Sequence, residues 1–97
     1  RPPVVDPSNE HIFHQYTIRV ERRDALVAHL KAKGIGCAVY YPLPLHLQPC
    51  FAPLGYRMGR LPVTEAAAGA VCSLPIYPEL TRAQQDEVIE AVTGFYA

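Results

Sequence analysis

The segment with the most ligand-binding chemistry is residues 40–46, which read YYPLPLH. Two phenols and an imidazole stand at the end of a predicted strand and along a loop stiffened by proline. Such groups offer aromatic faces for stacking and hydrogen-bonding atoms for a polar ring or a phosphate. On composition alone, an equally good interpretation is that the aromatic and proline side chains pack the loop. The residue types therefore leave a binding loop and a packed loop as equal alternatives.

A second candidate is a pair of histidines. His11 directly precedes a predicted strand, and His14 lies within it. An odd separation along a strand places the two rings on opposite faces, so they cannot hold one ion without a bulge. We therefore expect no metal site. His14 shares its predicted face with Tyr16 and Ile18, and is either a core histidine or one that faces a ligand.

The glycine pair in Gly34-Ile35-Gly36 is a weak phosphate-loop candidate. Phosphate-binding loops lie between a strand and the N-terminus of a helix, whereas this segment follows a predicted helix. We predict that Gly34 ends that helix in the left-handed conformation and that Ile35 packs back onto its last turn.

Nucleophilic catalysis has little support in the sequence. Ser8 and Ser73 lack a G-x-S-x-G context, and no neighbouring residue would activate Cys50. The cysteines, Cys37, Cys50 and Cys72, are widely spaced without a C-x-x-C pair, so neither a disulfide framework nor a zinc ribbon is expected. The cysteine spacing predicts buried, reduced thiols, which fits a cytoplasmic protein. No residue of this chain is predicted to be catalytic.

The elements that would position these groups alternate along the chain. Hydrophobic periodicity and turn residues predict strands over 12–21, 37–41 and 72–77, and helices over 24–33, from Pro62 through Ala68, and after Thr81, with a possible short helix over 47–54. Thr81 and Gln84 have the spacing of a capping box. The prolines that bound 72–77 favour an edge strand.

This order predicts an α+β domain with a small antiparallel or mixed sheet and helices packed on one side. Residues 1–10, rich in proline and polar side chains, are predicted to be a linker, and residues 11–97 a single domain. Because the chain opens with Arg1 rather than Met, we expect it to be cut from a longer polypeptide.

Charge and hydropathy exclude two classes of partner. Nine basic and nine acidic residues are interspersed and cancel, so no basic stripe is available for nucleic acid. The uncharged residues from Ala38 up to Arg57 are interrupted by prolines, which argues against a membrane-spanning helix.

Several motifs follow one another in a familiar order. They are HQY at 14–16, Arg23-Asp24 at the start of a helix, GIG at 34–36, YYPLPLH at 40–46, and LPIYP at 74–78 before Thr81. Together they resemble the C-terminal region of the DegT/DnrJ/EryC1/StrS sugar aminotransferases, over nearly the whole chain from His11 onward.

This resemblance implies the small C-terminal domain of the aspartate-aminotransferase fold, in a homodimer that uses pyridoxal phosphate (PLP). Enzymes of the family move an amino group, commonly from glutamate, onto a nucleotide-linked keto-sugar, and a minority aminate cyclitols. By the same resemblance, Tyr40 occupies a position near the sugar nucleotide that is often His. Tyr41, His14 and His46 are further substrate-binding candidates.

A transaminase also needs a lysine of lowered pKa that forms a Schiff base with the cofactor. The only lysines, Lys31 and Lys33, lie on the outer part of a predicted helix near its negative end, where they complement its dipole. We therefore expect the Schiff-base lysine and the main PLP-binding groups in a preceding large domain, and no activity from this segment alone. The alternative is a free-standing, non-catalytic α+β module that binds a ligand or dimerises.

Overall fold

The computed structural model describes residues 1–97 and contains three helices and two strands. In chain order these are β1 (Tyr16–Arg19), α1 (Arg23–Ala32), α2 (Pro62–Ala70), β2 (Val71–Leu74) and α3 (Arg82–Tyr96). Between α1 and α2, the chain forms two 3-10 helices, Leu45–Leu47 and Pro49–Leu54. None of the helices combines the length and the hydropathy required to span a bilayer.

The sheet is antiparallel and very small. β1 pairs with β2 from Tyr16 opposite Leu74 to Arg19 opposite Val71. On the other side of β2, Ser73 and Ala38 form an isolated antiparallel bridge, with N–O distances of 2.7 and 3.1 Å. The predicted α+β class with an antiparallel sheet is confirmed, and the predicted third strand at 37–41 is reduced to this bridge.

In this two-stranded sheet β2 pairs with β1 on one side and, at Ser73 alone, with Ala38 on the other, so the predicted edge strand is partly covered. The strand ends at Leu74, one residue before Pro75, so the prolines lie beyond the ladder and block no hydrogen bond on either side.

β1 is much shorter than the predicted strand over 12–21. Phe13 has a φ of 48°, in the left-handed region, and this breaks the alternation of side chains before the strand begins. His14 consequently precedes β1 and is exposed, and Ile12 is 84% exposed. His14 therefore lies outside the strand, and the alternative that it is a core histidine is wrong.

The core lies between one face of the sheet and the packed helices α1 and α3. Leu26 and Leu30 of α1 are fully buried and contact Ile18 and Cys72, which are opposite each other in the sheet. Ile35 and Ala91 complete the buried cluster. Burying a leucine side chain contributes roughly 1.5–3 kcal/mol, so these two leucines are the main apolar contribution to a core of this size.

Local signals end the helices as the sequence predicts. Gly34 has a φ of 75°, its N–H donates to the Lys31 carbonyl at 3.0 Å, and the Ile35 N–H donates to the Leu30 carbonyl at 2.9 Å. This is the Schellman arrangement, with buried Ile35 packed on the last turn. The capping box at the start of α3 is also confirmed, since the Thr81 hydroxyl accepts from the Gln84 N–H and the Gln84 side chain accepts from the Thr81 N–H.

α2 is tied to the start of α1 by one arginine. The Arg23 guanidinium donates to the carbonyls of Ala68 and Val71, at 3.0 and 2.8 Å. These bonds hold the junction of α2 and β2 against the core. Residues 1–10 contain no helix or strand, and the linker boundary at residue 10 stays a prediction.

Candidate functional site

Tyr40 lies where two surface clefts meet. The first, which we call the apolar cleft, has a volume of about 540 Å³ and runs between the 40–61 segment and α2. The second, the polar cleft, has a volume of about 670 Å³ and is bounded by the loop after α1, the end of β2 and the start of α3. Tyr40 lines both clefts and is the one candidate site residue that they share.

The apolar cleft collects most of the aromatic side chains of the 40–61 segment. Tyr40 and Tyr41 are 50% and 57% exposed, and their rings meet edge to face at a centroid distance of 6.2 Å. Further lining comes from Pro44, Leu45, His46, Phe51, Leu54, Tyr56, Leu61, Thr64, Ala67, Ala68 and Val71. A concave, mainly apolar surface with a few hydroxyl groups is typical of small-molecule sites.

His46 lies at the inner side of this cleft and is almost completely buried. Its Nε2 is 2.9 Å from Oε1 of Glu65, and the two side chains are only 6% and 13% exposed. A deprotonated carboxylate can only accept a hydrogen bond, so Nε2 carries the proton in this pair. The other ring nitrogen, Nδ1, is buried and has no hydrogen-bond partner.

Glu65 also accepts hydrogen bonds from the loop before α2. The Gly59 N–H lies 2.9 and 2.8 Å from the two carboxylate oxygens, and the Leu61 N–H lies 3.3 Å from Oε1. The Gly59 N–H holds the pKa of the Glu65 carboxyl below its ordinary value, against the opposing effect of desolvation. His46 and the Leu61 N–H lower this pKa further. The carboxylate is therefore charged at neutral pH.

The polar cleft contains the fourth predicted site residue, His14. It is exposed there beside Gln15, and the opposite wall carries Tyr77, Gln84 and Glu87. The structure thus brings Tyr40, Tyr41 and His46 together in the apolar cleft and places His14 across Tyr40 in the polar one.

Neither cleft suits the phosphate or the Schiff base of PLP. Both are lined without any Lys or Arg side chain. Lys31 and Lys33 are exposed at the end of α1 and line neither cleft. The residues that line these two clefts therefore do not fit the role of holding the cofactor.

The cysteines differ in their surroundings. Cys72 is fully buried and Cys37 half-buried, and desolvation raises the pKa of both thiols. Cys50 is exposed, so the prediction of buried thiols is wrong for this residue. It follows Pro49 in the second 3-10 helix, whose six residues include no buried side chain.

Sequence reasoning missed Glu65 as a site residue. Its only local signal is a negative charge in the first turn of a helix, which the helix dipole explains by itself. Glu65 is a site residue because it forms hydrogen bonds with His46 and Gly59, which lie in the irregular 42–61 segment. No periodicity in the sequence predicts how that segment folds back onto α2.

A sequence model of the DegT/DnrJ/EryC1/StrS aminotransferase family matches residues 1–93. The chain belongs to this family. The resemblance inferred from the order of the sequence motifs is thereby confirmed, together with the α+β architecture of the domain.

Individual family members are similar over almost the whole chain. It is 58% identical over 86 residues to the pleiotropic regulatory protein of Geobacillus stearothermophilus, with 89% of this chain and 23% of the relative covered. It is 47% identical over 91 residues to dTDP-3-amino-3,4,6-trideoxy-alpha-D-glucose transaminase of Micromonospora megalomicea subsp. nigra, with 93% and 24% covered.

The fold agrees with that of a solved family structure. The crystal structure of Streptomyces venezuelae DesV in complex with a ketimine intermediate matches with a TM-score of 0.92 and 44% identity, covering 97% of this chain and 25% of that chain. The present chain therefore spans about a quarter of the length of these three proteins.

Proposed function

We propose that this chain is the C-terminal domain of a PLP-dependent aminotransferase that transfers an amino group from an amino acid such as glutamate to a nucleotide-linked keto-sugar. The observation that carries the proposal is the match to an aminotransferase family over residues 1–93, with a fold that covers a quarter of DesV. The whole enzyme is a cytoplasmic homodimer in this proposal.

Within that enzyme, the apolar cleft forms part of the substrate-binding wall. The exposed rings of Tyr40 and Tyr41 supply faces for stacking and hydroxyl groups for hydrogen bonds. His46 shapes the inner side of the cleft, and His14 contacts the part of the substrate that extends past Tyr40. Tyr40, Tyr41, His46 and His14 are all proposed substrate-binding residues.

The chemistry itself depends on groups outside these residues. PLP, when bound, acts as an electron sink for the transfer of the amino group. No residue of this chain fits its Schiff-base lysine, because Lys31 and Lys33 are exposed at the end of α1. The domain contributes binding and orientation, and by itself it is inactive.

Full-length protein tests the proposal directly. A lysine-bound PLP absorbs visible light, and we expect this band to disappear on addition of glutamate and to return with a nucleotide-linked keto-sugar. Formation of 2-oxoglutarate, followed by mass spectrometry, gives the stoichiometry. The 97-residue chain alone is the control and should show neither signal. A full-length protein without the band and without transfer would exclude an aminotransferase.

A regulatory function is the second candidate, because the 58% identical relative is named a pleiotropic regulatory protein. In that case the apolar cleft binds a ligand without turnover. The same assay separates the two functions: binding of a nucleotide-sugar to full-length protein, without any 2-oxoglutarate from glutamate, would favour regulation.

A further inference from the structure

The hydrogen bonds that connect residues 42–60 to the rest of the domain all end on one side chain. Residues 42–60 form several short-range backbone hydrogen bonds among themselves, such as Leu47 N–H to Pro44 O at 2.9 Å and Arg60 N–H to Arg57 O at 3.1 Å. The hydrogen bonds that leave this segment come from His46 and Gly59, and both end on the carboxylate of Glu65.

Packing provides little additional restraint for this segment. Pro44 is buried and Leu47 is half-buried, but most of its other large apolar side chains are exposed, from Phe51 at 40% to Met58 at 72%. The second 3-10 helix has no buried residue. Since few apolar contacts hold the segment, its conformation depends strongly on the polar bonds at Glu65.

The bonds at Glu65 reach two residues of the cleft wall and the turn that precedes the second of them. His46 lies within the wall and meets the Tyr56 ring edge to face at a centroid distance of 6.1 Å. Leu61 lines the cleft at the start of α2, and its N–H donates to Oε1 at 3.3 Å. Gly59, with a φ of 87°, forms the turn between them.

We propose that Glu65 is the positioning residue of this cleft: it holds His46 and the Gly59–Leu61 turn in place against Tyr40 and Tyr41, and thereby sets the affinity for the nucleotide-sugar. The inference rests on the proposed function, because it assigns that substrate to the cleft. Glu65 itself lies behind the wall and does not line the cleft.

A purely structural role is the competing explanation. A carboxylate in the first turn of a helix stabilises the helix N-terminus through its dipole. Such a role affects the stability of α2 but predicts no change in substrate affinity. The two roles are therefore distinguished by affinity and by local hydrogen exchange.

The test compares full-length wild type with Glu65→Gln, which keeps the size of the side chain and removes its charge. Glu90→Gln, on the exposed surface of α3, is the matched control. We expect Glu65→Gln to raise KM for a dTDP-linked keto-sugar about tenfold with little change in kcat, because the weakened bonds act on ground-state binding. The control should match wild type.

Hydrogen exchange supplies a readout that does not depend on activity. In Glu65→Gln, the peptide over residues 57–62 should exchange faster, while the α1 and α3 core peptides keep their protection. An unchanged KM or an unchanged exchange rate over 57–62 would overturn the positioning role. If wild type has no transaminase activity, the proposed function fails, and the exchange rate alone decides whether Glu65 holds the cleft wall.

Wild type provides a further test in case Glu65→Gln fails to fold. In protein labelled with 15N-glycine, the Gly59 amide resonance should follow the titration of the Glu65 carboxyl, at a pH below the ordinary pKa of glutamate. Gly94, in the middle of α3, should not respond and serves as the internal reference. A Gly59 amide that ignores this titration would also overturn the proposal.

Discussion

Nε2 of His46 lies 2.9 Å from Oε1 of Glu65, across 19 positions of sequence and with both side chains almost buried. The pair joins the first 3-10 helix to the first turn of α2 and so closes the loop that carries the aromatic residues. A buried pair of this kind costs desolvation free energy and is favourable only when its remaining hydrogen-bonding groups are satisfied. The Gly59 and Leu61 N–H groups meet that requirement on the carboxylate side, whereas Nδ1 of His46 has no hydrogen-bond partner.

The lowered pKa of Glu65 predicts how stability changes with pH. A carboxyl whose folded pKa is below its unfolded value contributes stability at neutral pH, and the contribution is lost as pH falls through the folded pKa. The difference in unfolding midpoint between wild type and Glu65→Gln should therefore be constant above about pH 4.3, the ordinary value for Glu, and shrink below it. Urea unfolding between neutral and acidic pH measures this, with Glu90→Gln as control. A difference that does not vary with pH would contradict the prediction.

The buried leucines of α1 should dominate stability. Leu26→Ala removes a fully buried side chain from the centre of the core, and we expect a loss of about 2–5 kcal/mol in the free energy of unfolding. Leu54→Ala is the matched control, because Leu54 is 65% exposed and its truncation should change stability by no more than about 0.5 kcal/mol. Equal losses for the two variants in denaturant unfolding would show that the core is assigned wrongly.

Two glycine substitutions should have opposite effects. Gly34 has a φ of 75°, and an alanine there should cost about 1–2 kcal/mol because its Cβ is strained in the left-handed region. Gly94 lies inside α3, and the position that a Cβ would occupy there is free of other atoms, so Gly94→Ala should stabilise the protein by about 0.5–1 kcal/mol. Thermal unfolding of both variants checks the prediction, and a stabilising Gly34→Ala would rule out the left-handed cap.

Tyr40 should contribute to substrate affinity mainly through its ring. In the full-length enzyme, we expect Tyr40→Ala to lower kcat/KM about tenfold or more, and Tyr40→Phe to have a smaller effect, because stacking survives loss of the hydroxyl. Tyr96→Phe, in a residue that lines neither cleft, is the control for removal of a hydroxyl. Steady-state kinetics with the nucleotide-sugar measures these effects, and an unchanged kcat/KM in Tyr40→Ala would remove Tyr40 from the site.

The three cysteine thiols should differ in their rate of alkylation. Cys50 is exposed, whereas burial both shields Cys37 and Cys72 and raises their pKa, which lowers the thiolate fraction. Under native conditions, an alkylating reagent should therefore modify Cys50 first, as followed by mass spectrometry. Cys50→Ser should abolish the fast phase. Rapid modification of Cys72 in folded protein would contradict its burial.

The order of the motifs and the local ends of the helices were both evident in the sequence. The capping box at Thr81 and the glycine stop at Gly34 depend on neighbours within a few residues, so the chain encodes them locally. The stripe of Leu26 and Leu30 on α1 likewise predicts a buried helix face from spacing alone. The family resemblance follows from motifs whose order requires no three-dimensional information.

Only the tertiary structure decided which predicted site residues meet. His14 lies outside the sheet, next to Phe13 in the left-handed conformation, and β2 has a second neighbour only where Ala38 pairs with Ser73. His46 is buried where it forms a hydrogen bond with Glu65, and the 42–61 segment that carries it there has no regular hydrophobic pattern. These contacts join residues that are far apart in the sequence, so they depend on how the connecting loops fold. Hydrophobic periodicity predicts helices and strands, but it does not predict the conformation of irregular loops.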